Sequence, residues 1–579
     1  MTAAPSRLVP PAPRWRLPSL DLQEGVDLAR ELSLPAALGR ILKARGIHDG
    51  AAAKAHLRPL LSSLHSPHLL RDLDVAAERL LEAIARDETI LVHGDYDVDG
   101  ISATALLTRS LRRLGARVEP FVPHRLRDGY DLGEAGLARA ADVGAAVLLT
   151  ADCGIVAHTA VARARDLGLD VIITDHHTPS DTLPDALAVV NPNRVDCDYP
   201  EGVLCGAGVA FKLVQRLVEL RGGSLEDLLP DLDLVAFATV ADLVPLTGEN
   251  RVLVRYGLRA LARTTKVGLR ALMKVADVDG DHIDAGQVGF RLAPRINALG
   301  RLDDAAVALR LLLTDDADEA ARLASQADQV NGERQEEDRR TLDEALQRLE
   351  ADYSDERDFG LVLAGDGWHP GVIGIVASRI VERVHRPVIL VALRDGVGRG
   401  SGRSVPGFDL HGALLSCASH LERFGGHRQA AGLDLDPIHL DAFREAFNAV
   451  ARERLEGLDL RPEIRADIEM HLQSTDLALA DLLRHLGPHG MGNPKPVLLA
   501  RGLRVVGSPR EVGRGHLKLT LEQGGVTRPA IGFGLVDRWA PDTLLGERVD
   551  ALFHLTVNEY RGRRTAQLQL KDLRLAESA

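Results

Sequence analysis

The sequence predicts an α/β multidomain fold: a parallel, doubly wound domain, a long connecting helix, a second α/β domain and a C-terminal β-barrel. Three observations carry that expectation. From residue 89 to residue 190, continuous apolar runs alternate with helical stretches, as strands buried on both faces of a parallel sheet do. From residue 314 to about 352 the chain is Ala, Leu, Glu, Arg, Gln and Asp at helical spacing, with Gly332 as almost the sole breaker. One long, mostly exposed helix, or two abutting ones, fits that composition. Beyond residue 460, short alternating runs separated by Gly turns suggest a small barrel of five or six strands.

Residues 1 to about 85 read as a Pro-rich lead and short helices, with no function assigned. Strands of the first sheet are expected over 89–92, 117–122, 145–149, 171–174 and 188–190, with helices over 101–114, 134–142, 156–167 and 208–220. Chemistry-bearing residues gather where these strands end. The first strand runs into His93, Asp95, Asp97 and Asp99, the third into Asp152, and the fourth into Asp175, His176 and His177. The apolar run 234–240, read as a further strand, leads to Asp242. Carboxyl ends of parallel strands share one edge of the sheet, so these groups can converge.

Carboxylates a few Å apart repel one another unless a cation neutralises them. A lone Asp after a strand is usually a helix cap, but a joint set with two adjacent His points to a metal site. Its carboxylate content suits two Mn²⁺ or Mg²⁺ ions better than zinc. Two ions about 4 Å apart clamp a phosphoryl group and activate water, so hydrolysis of a phosphate ester or anhydride is expected. An EF-hand is excluded: with Asp95 as position 1, the bidentate Glu of position 12 is replaced by Leu106.

At 579 residues the chain exceeds a single core. The formal charge of −13 opposes nucleic-acid binding when taken globally. Residues 501–579 run the other way, with 13 Lys and Arg against 9 Asp and Glu. The four Cys form no CxxC pair, which argues against a disulfide framework and fits a reducing compartment. The Pro- and Arg-rich start has no apolar core of a signal peptide, and no run of about 18 apolar residues suggests a membrane span.

Two more stretches point to phosphate. Residues 286–302 hold Arg291, Arg295 and Arg301 among Pro, Asn and Gly, a composition read as poor for a helix but apt for bidentate phosphate contacts. Residues 398–404 and 425–432 are Gly-rich turns beside Arg and Ser, where backbone N–H groups can approach an anion. No Walker A or GxGxxG pattern occurs, which argues against nucleoside triphosphate use.

Together, His93-x-x-x-Asp97-x-Asp99, the Asp152 strand end, Asp175-His176-His177 and Asp242 resemble the four motifs of the DHH phosphoesterase superfamily. HGDYDVDG, TADCGI, TDHH and ATVADLVPL are similar to those of RecJ-type single-stranded-DNA-specific exonucleases, from about residue 40 to the C-terminus. The resemblance implies that His93, Asp97, Asp99, Asp152, His176 and Asp242 are metal ligands, with Asp152 bridging both ions. Asp95 is then a ligand or supports one, His177 contacts the scissile phosphate, and Asp175 orients His176. Arg301, with Arg295 in the same PRINAxGR stretch, would hold the nucleic-acid backbone. Arg125, Ser401, Arg403, Gly425 and Gly426 would hold a 5′-terminal phosphate. His427 of the GGHxxAAG signature is a candidate there beside its plain reading as a packed histidine.

The implied partition is an N-terminal extension (1–40), a DHH domain (41–313), the connecting helix (314–352), a DHHA1 domain (353–458) and an OB-like barrel (459–579). The implied function is metal-dependent 5′-to-3′ hydrolysis of single-stranded DNA to 5′-mononucleotides, in the cytoplasm, in DNA repair and recombination. A helicase and a single-strand-binding protein are the expected partners. Rival readings are a DHH-family phosphatase or nano-oligonucleotide hydrolase, and a non-catalytic replication scaffold.

Overall fold

A computed structural model describes residues 8–17, 22–125 and 127–576. The chain forms two compact units. One comprises Lys54–Gly332 with His485–Lys495, and the other the remaining described residues.

The first unit is built on five parallel strands: β1 (Thr89–Gly94), β2 (Arg117–Phe121), β3 (Ala145–Ala151), β4 (Asp170–Thr174) and β5 (Ala188–Val190). Their order is β2-β1-β3-β4-β5. Strand residues alternate between two cores. Ile90, Val92, Val147, Leu149 and Ile172 pack with helices α1 (Val98–Arg113), α4 (Gly206–Leu220) and α5 (Leu232–Ala241). Leu91, Leu148, Val171 and Ile173 pack on the other face with α2 (Glu134–Asp142) and α3 (His158–Asp166). Burial on both faces is why these strands read as unbroken apolar runs. The strand order reverses between β1 and β3, and a doubly wound sheet opens its binding crevice at the carboxyl ends flanking such a reversal.

Two expectations for this unit are corrected. The run 234–240 is not a strand but most of α5, and Asp242 is the residue that caps its C-terminus. Leu232 through Val240 are all buried, so the helix shows no polar face and no 3.6-residue period. Residues 286–302, read as poor in helix composition, are helical. They form a short turn at Ala285–Gln287, one π turn at Val288–Leu292 and helix α6 (Ala293–Leu302). Asp284 caps the start by accepting from the Gln287 amide at 2.8 Å. Pro294 falls in the first turn of α6, directly after the π turn.

A single helix, α7 (Ala317–Asp352), follows, and the division between units falls within it, after Gly332. The second unit contains β6 (Leu361–Asp366), helix α8 (Ile373–Val384), β7 (Val388–Arg394), β8 (Val397–Arg403), β9 (Arg423–Gly426) and β10 (Ala430–Leu435). The sheet order is β9-β10-β8-β7-β6, with β6 and β7 parallel. A barrel of β11 (Leu498–Val512), β12 (His516–Gln523), β13 (Val526–Gly532), β14 (Arg548–Tyr560) and β15 (Arg563–Leu575) closes through pairing of β11 with β14. One strand, β11, carries two of the short alternating runs, 498–500 and 503–506, across a register shift between Ala500 and Leu503. The N-terminal segment belongs to this unit. Arg14–Arg16 pairs with Glu463–Arg465, and the Trp15 indole N–H donates to the buried Asp572 carboxylate at 2.6 Å.

Candidate metal centre

The carboxyl ends of β1 and β3 supply the centre of the site. His93, 1% exposed, is the second-last residue of β1, and the buried Asp95 directly follows the strand. Asp97 caps α1, accepting from the amides of Asp99 and Gly100 at 2.9 and 3.1 Å. Asp99, in the first turn of α1, is fully enclosed. Its two oxygens accept from the amides of Gly206 and Ala207 at 2.6 and 2.7 Å, at the N-terminus of α4, where the helix dipole favours an anion. Asp152 sits after β3 with φ of +66°, an uncommon conformation for a side-chain-bearing residue and one that clusters at functional sites.

Three overlapping sets of ligand atoms result, each within 4.8 Å: Asp95, Asp97 and Asp152; Asp99, His176 and Asp242; and Asp152, His176 and His177. Asp152 and His176 each belong to two sets. His176 Nε2 lies 3.1 Å from Asp152 Oδ1, 3.7 Å from Asp242 Oδ2 and 3.8 Å from Asp99 Oδ2. His93 is in none of the three sets, but its Nε2 is buried without a hydrogen-bond partner, as are Asp95 Oδ1 and Asp152 Oδ1. Unpaired buried polar atoms of this kind are costly. Two divalent cations would satisfy them, so the donor set fits Mn²⁺ or Mg²⁺.

Electrostatics agree. Burial, then neighbouring carboxylates, hold the Asp95 and Asp152 carboxyls well above the usual range. The same causes push Asp242 up to about 8. Burial raises Asp99 and lowers His93 to about 4. Each carboxyl in this group is destabilised as an anion until a cation arrives.

The structure corrects the role expected for Asp175. It binds the ring of His177, not that of His176. Asp175 Oδ1 accepts from His177 Nδ1 at 2.7 Å and from both His amides, and Oδ2 accepts from the Ile155 amide at 3.0 Å. Burial opposes a charge on His177, but the Asp175 bond and nearby carboxylates outweigh it and raise His177 to about 9. His177 Nε2 lies 3.4 Å from the Tyr130 hydroxyl. A cavity of about 330 Å³ opens here, and its lining includes Asp95, Asp97, Asp99, His177 and Asp242 together with Arg125 and Arg301. The Arg125 guanidinium stacks 5.2 Å from the Tyr96 ring. Arg295 is not part of this wall: it pairs with Asp328 of α7 at 2.8 Å.

Of the second unit's candidates, Ser401 and Arg403 end β8 beside the N-terminus of α8. A Cβ on Gly374 would stand 2.8 Å from Ser401 Oγ and 2.9 Å from Arg403 Nη2. Ser401, Gly432 and Gly425 are in register across β8, β10 and β9, so two residues without side chains leave the sheet face open beside the hydroxyl. Gly426 and His427 line a separate cavity with Arg428 and His411.

Gly206 and Ala207 escaped the sequence reading; their signal is the small-residue start of an apolar helix, Cys205 to Gly208. A Cβ on Gly206 would fall 2.4 Å from Asp152 Cβ. Gly206→Ala is therefore expected to cost about 1–3 kcal/mol of stability from overpacking and to weaken Mn²⁺ binding. Paired thermal melts and Mn²⁺ titration check it, and a variant with wild-type values in both refutes the tight fit.

Comparison with known proteins decides the family. Residues 89–239 match the DHH family, N-terminal domain; residues 358–453 the DHHA1 domain; and residues 466–572 the RecJ OB domain. The single-stranded-DNA-specific exonuclease RecJ of Dickeya dadantii is 40% identical over 93% of this chain and 96% of its own length. The chain belongs to the RecJ family. The crystal structure of RecJ in complex with Mn²⁺ from Thermus thermophilus is 34% identical, with a TM-score of 0.82, covering 98% of this chain and 80% of that one. Its Mg²⁺ counterpart is 33% identical with a TM-score of 0.77, over 98% and 79%. The RecJ fold thus extends over both units described here, and α5 and α6 lie in the first of them. No helix among the described residues is long and apolar enough to cross a membrane.

Proposed function

We propose that this RecJ-family chain is a metal-dependent exonuclease that degrades single-stranded DNA from the 5′ end to 5′-mononucleotides. The observation that carries the reading is the shared use of Asp152 and His176 by overlapping ligand sets, next to a cavity walled by two arginines. Asp95, Asp97 and Asp152, with His93, would hold one Mn²⁺ or Mg²⁺ ion. Asp99, Asp152, His176 and Asp242 would hold the other. Bound ions would supply Lewis acidity and charge neutralisation to a phosphodiester. The protein's own groups do the rest. His177, clamped through Nδ1, presents Nε2 to the cavity as a donor toward a phosphate oxygen. Arg125, expected among the terminal-phosphate contacts, lines this cavity with Arg301, and both offer guanidinium forks to phosphates there.

Polarity is assigned to a terminal-phosphate site in the second unit, at Ser401, Arg403 and the Gly425–Gly426 turn, where the N-terminus of α8 favours an anion. Arg403→Ala is expected to lower kcat/KM on a 5′-phosphorylated, 3′-labelled single strand roughly 10- to 150-fold, the worth of about 1.5–3 kcal/mol for a charged hydrogen bond. The same strand with a 5′-hydroxyl should be cleaved equally by variant and wild type. Equal losses on both strands would overturn the assignment, and equal attack on a blunt duplex would overturn single-strand selectivity. An enzyme confined to single strands needs an unwinding activity to supply them, so we place a helicase and a single-strand-binding protein as partners. The unpaired thiols of Cys153, Cys197, Cys205 and Cys417 support a cytoplasmic setting.

A further inference from the structure

We infer that the Cys153 thiol is a positioning residue for the ion site: it fixes the tautomer and tilt of His93 so that Nε2 offers a lone pair to a cation. This rests on the reading of the site as a metal centre.

His93 is 1% exposed, and its Nε2 has no hydrogen-bond partner. Its other ring nitrogen, Nδ1, lies 3.6 Å from Cys153 Sγ, and that sulfur lies 3.7 Å from the His93 carbonyl oxygen. A neutral imidazole carries one N–H and one lone pair, and the neighbour of one nitrogen sets the state of the other. The buried Cys153 thiol has one proton. Donated to the His93 carbonyl, it leaves sulfur as an acceptor, and Nδ1 must then keep its hydrogen. Nε2 is left with the lone pair that a cation requires.

The ring has little freedom to tilt otherwise. The Phe121 ring stands 5.3 Å away, centroid to centroid. On the α2 side, a Cβ on Gly136 would meet His93 Cδ2 at 2.4 Å and Nε2 at 2.7 Å, so only glycine leaves room for the imidazole. The thiol's own place is fixed by the turn that carries Asp152. The Asp152 amide donates to Thr174 O at 2.9 Å, and Cys153 O accepts from Thr150 Oγ1 at 2.7 Å. One short turn therefore presents the carboxylate shared by two ligand sets and, one residue on, the partner that orients His93. Partners of ligating histidines are usually carboxylates, carbonyls or water; here the task falls to sulfur.

The test is Mn²⁺ binding by the full-length chain, read as the loss of the free-ion electron paramagnetic resonance signal, with thermal midpoints measured in EDTA. Cys153→Ala is expected to weaken Mn²⁺ binding about tenfold or more, the usual cost of losing such a partner, with an unchanged metal-free midpoint. Cys153→Ser, which can both accept and donate, should recover most of the affinity. Wild-type affinity in Cys153→Ala would overturn the inference. So would equal weakening in both variants with lowered metal-free midpoints, which marks a packing role. A wild-type chain that binds no Mn²⁺ would sink the metal-centre reading itself, a result distinct from either.

Discussion

Asp152→Asn is expected to lose at least about 10³-fold in kcat/KM on single-stranded DNA, while its metal-free form becomes more heat-resistant than wild type. Both effects have one origin. Asp152 contributes to two of the three ligand sets, so an amide there weakens both ions at once. Loss of several kcal/mol of charge stabilisation at the phosphoryl group corresponds to 10³-fold or more at about 1.4 kcal/mol per tenfold. Without ions, the same carboxylate is a liability. It is 2% exposed, and its Oδ1 has no hydrogen bond. Asn keeps the shape, tolerates the positive φ, and carries no charge to desolvate, so the folded state gains. Catalytic sites commonly trade stability for function in this way. Asp175→Asn is the control. That carboxylate is saturated by bonds from the His176, His177 and Ile155 amides and the His177 ring, so its loss should lower the metal-free midpoint. A nuclease assay with Mn²⁺ and melts in EDTA measure these three quantities. A fully active Asp152→Asn, or one that melts lower in EDTA, would contradict the reading of Asp152 as a shared ion ligand.

What the sequence made legible follows from the same physics. The five strands of the first sheet were readable because burial on both faces leaves unbroken apolar runs. The groups at their ends were readable because a buried carboxylate needs a partner that an apolar run cannot provide. The motif marks Asp242 but not its setting: Leu232 through Val240 are buried all round, and such a helix has no period to betray it. Residues 286–302 hide their helix because Pro294 and the glycines look like breakers in sequence. That helix also explains Arg295. Arg291 and Arg295 are one helical turn apart, whereas Arg301 lies six residues on and points to a different side, so Arg301 lines the cavity while Arg295 reaches Asp328. Asp175 stands beside both histidines in sequence, and only the backbone turn decides which ring it holds. The small-residue run Cys205 to Gly208 marks a helix start, but backbone amides have no side chain to say what they bind, so the hold of Gly206 and Ala207 on Asp99 appears only once α4 is placed.

Removing the ions should make stability fall with rising pH in the window from about pH 7 to 9. The sign follows from each group. Asp242 has a folded value of about 8 against an unfolded one of about 3.9. The folded state therefore holds the extra proton, and stability is lost as pH rises through 8. His177, raised to about 9 from about 6.5, stabilises the fold below 6.5 and loses that contribution as pH passes 9. His93 and His176 are lowered; their contribution has the opposite slope, but it is complete by about pH 6.5 and does not enter this window. Cations bind the deprotonated site and release protons, so their effect grows across the same range. At about 100 times its Kd, one ion adds about 2.7 kcal/mol, or roughly 5–10 °C at 2–4 °C per kcal/mol for a unit of this size. The gap between melting midpoints in Mg²⁺ and in EDTA should therefore widen from pH 7 to pH 9. Asp242→Asn should flatten the EDTA curve and, because the Asp242 carboxylate is one of those that raise His177, reduce the His177 contribution as well. Parallel curves in Mg²⁺ and EDTA would mean that the buried carboxyls do not face the ions, and the metal centre assigned to the crevice between β1 and β3 would have to be abandoned.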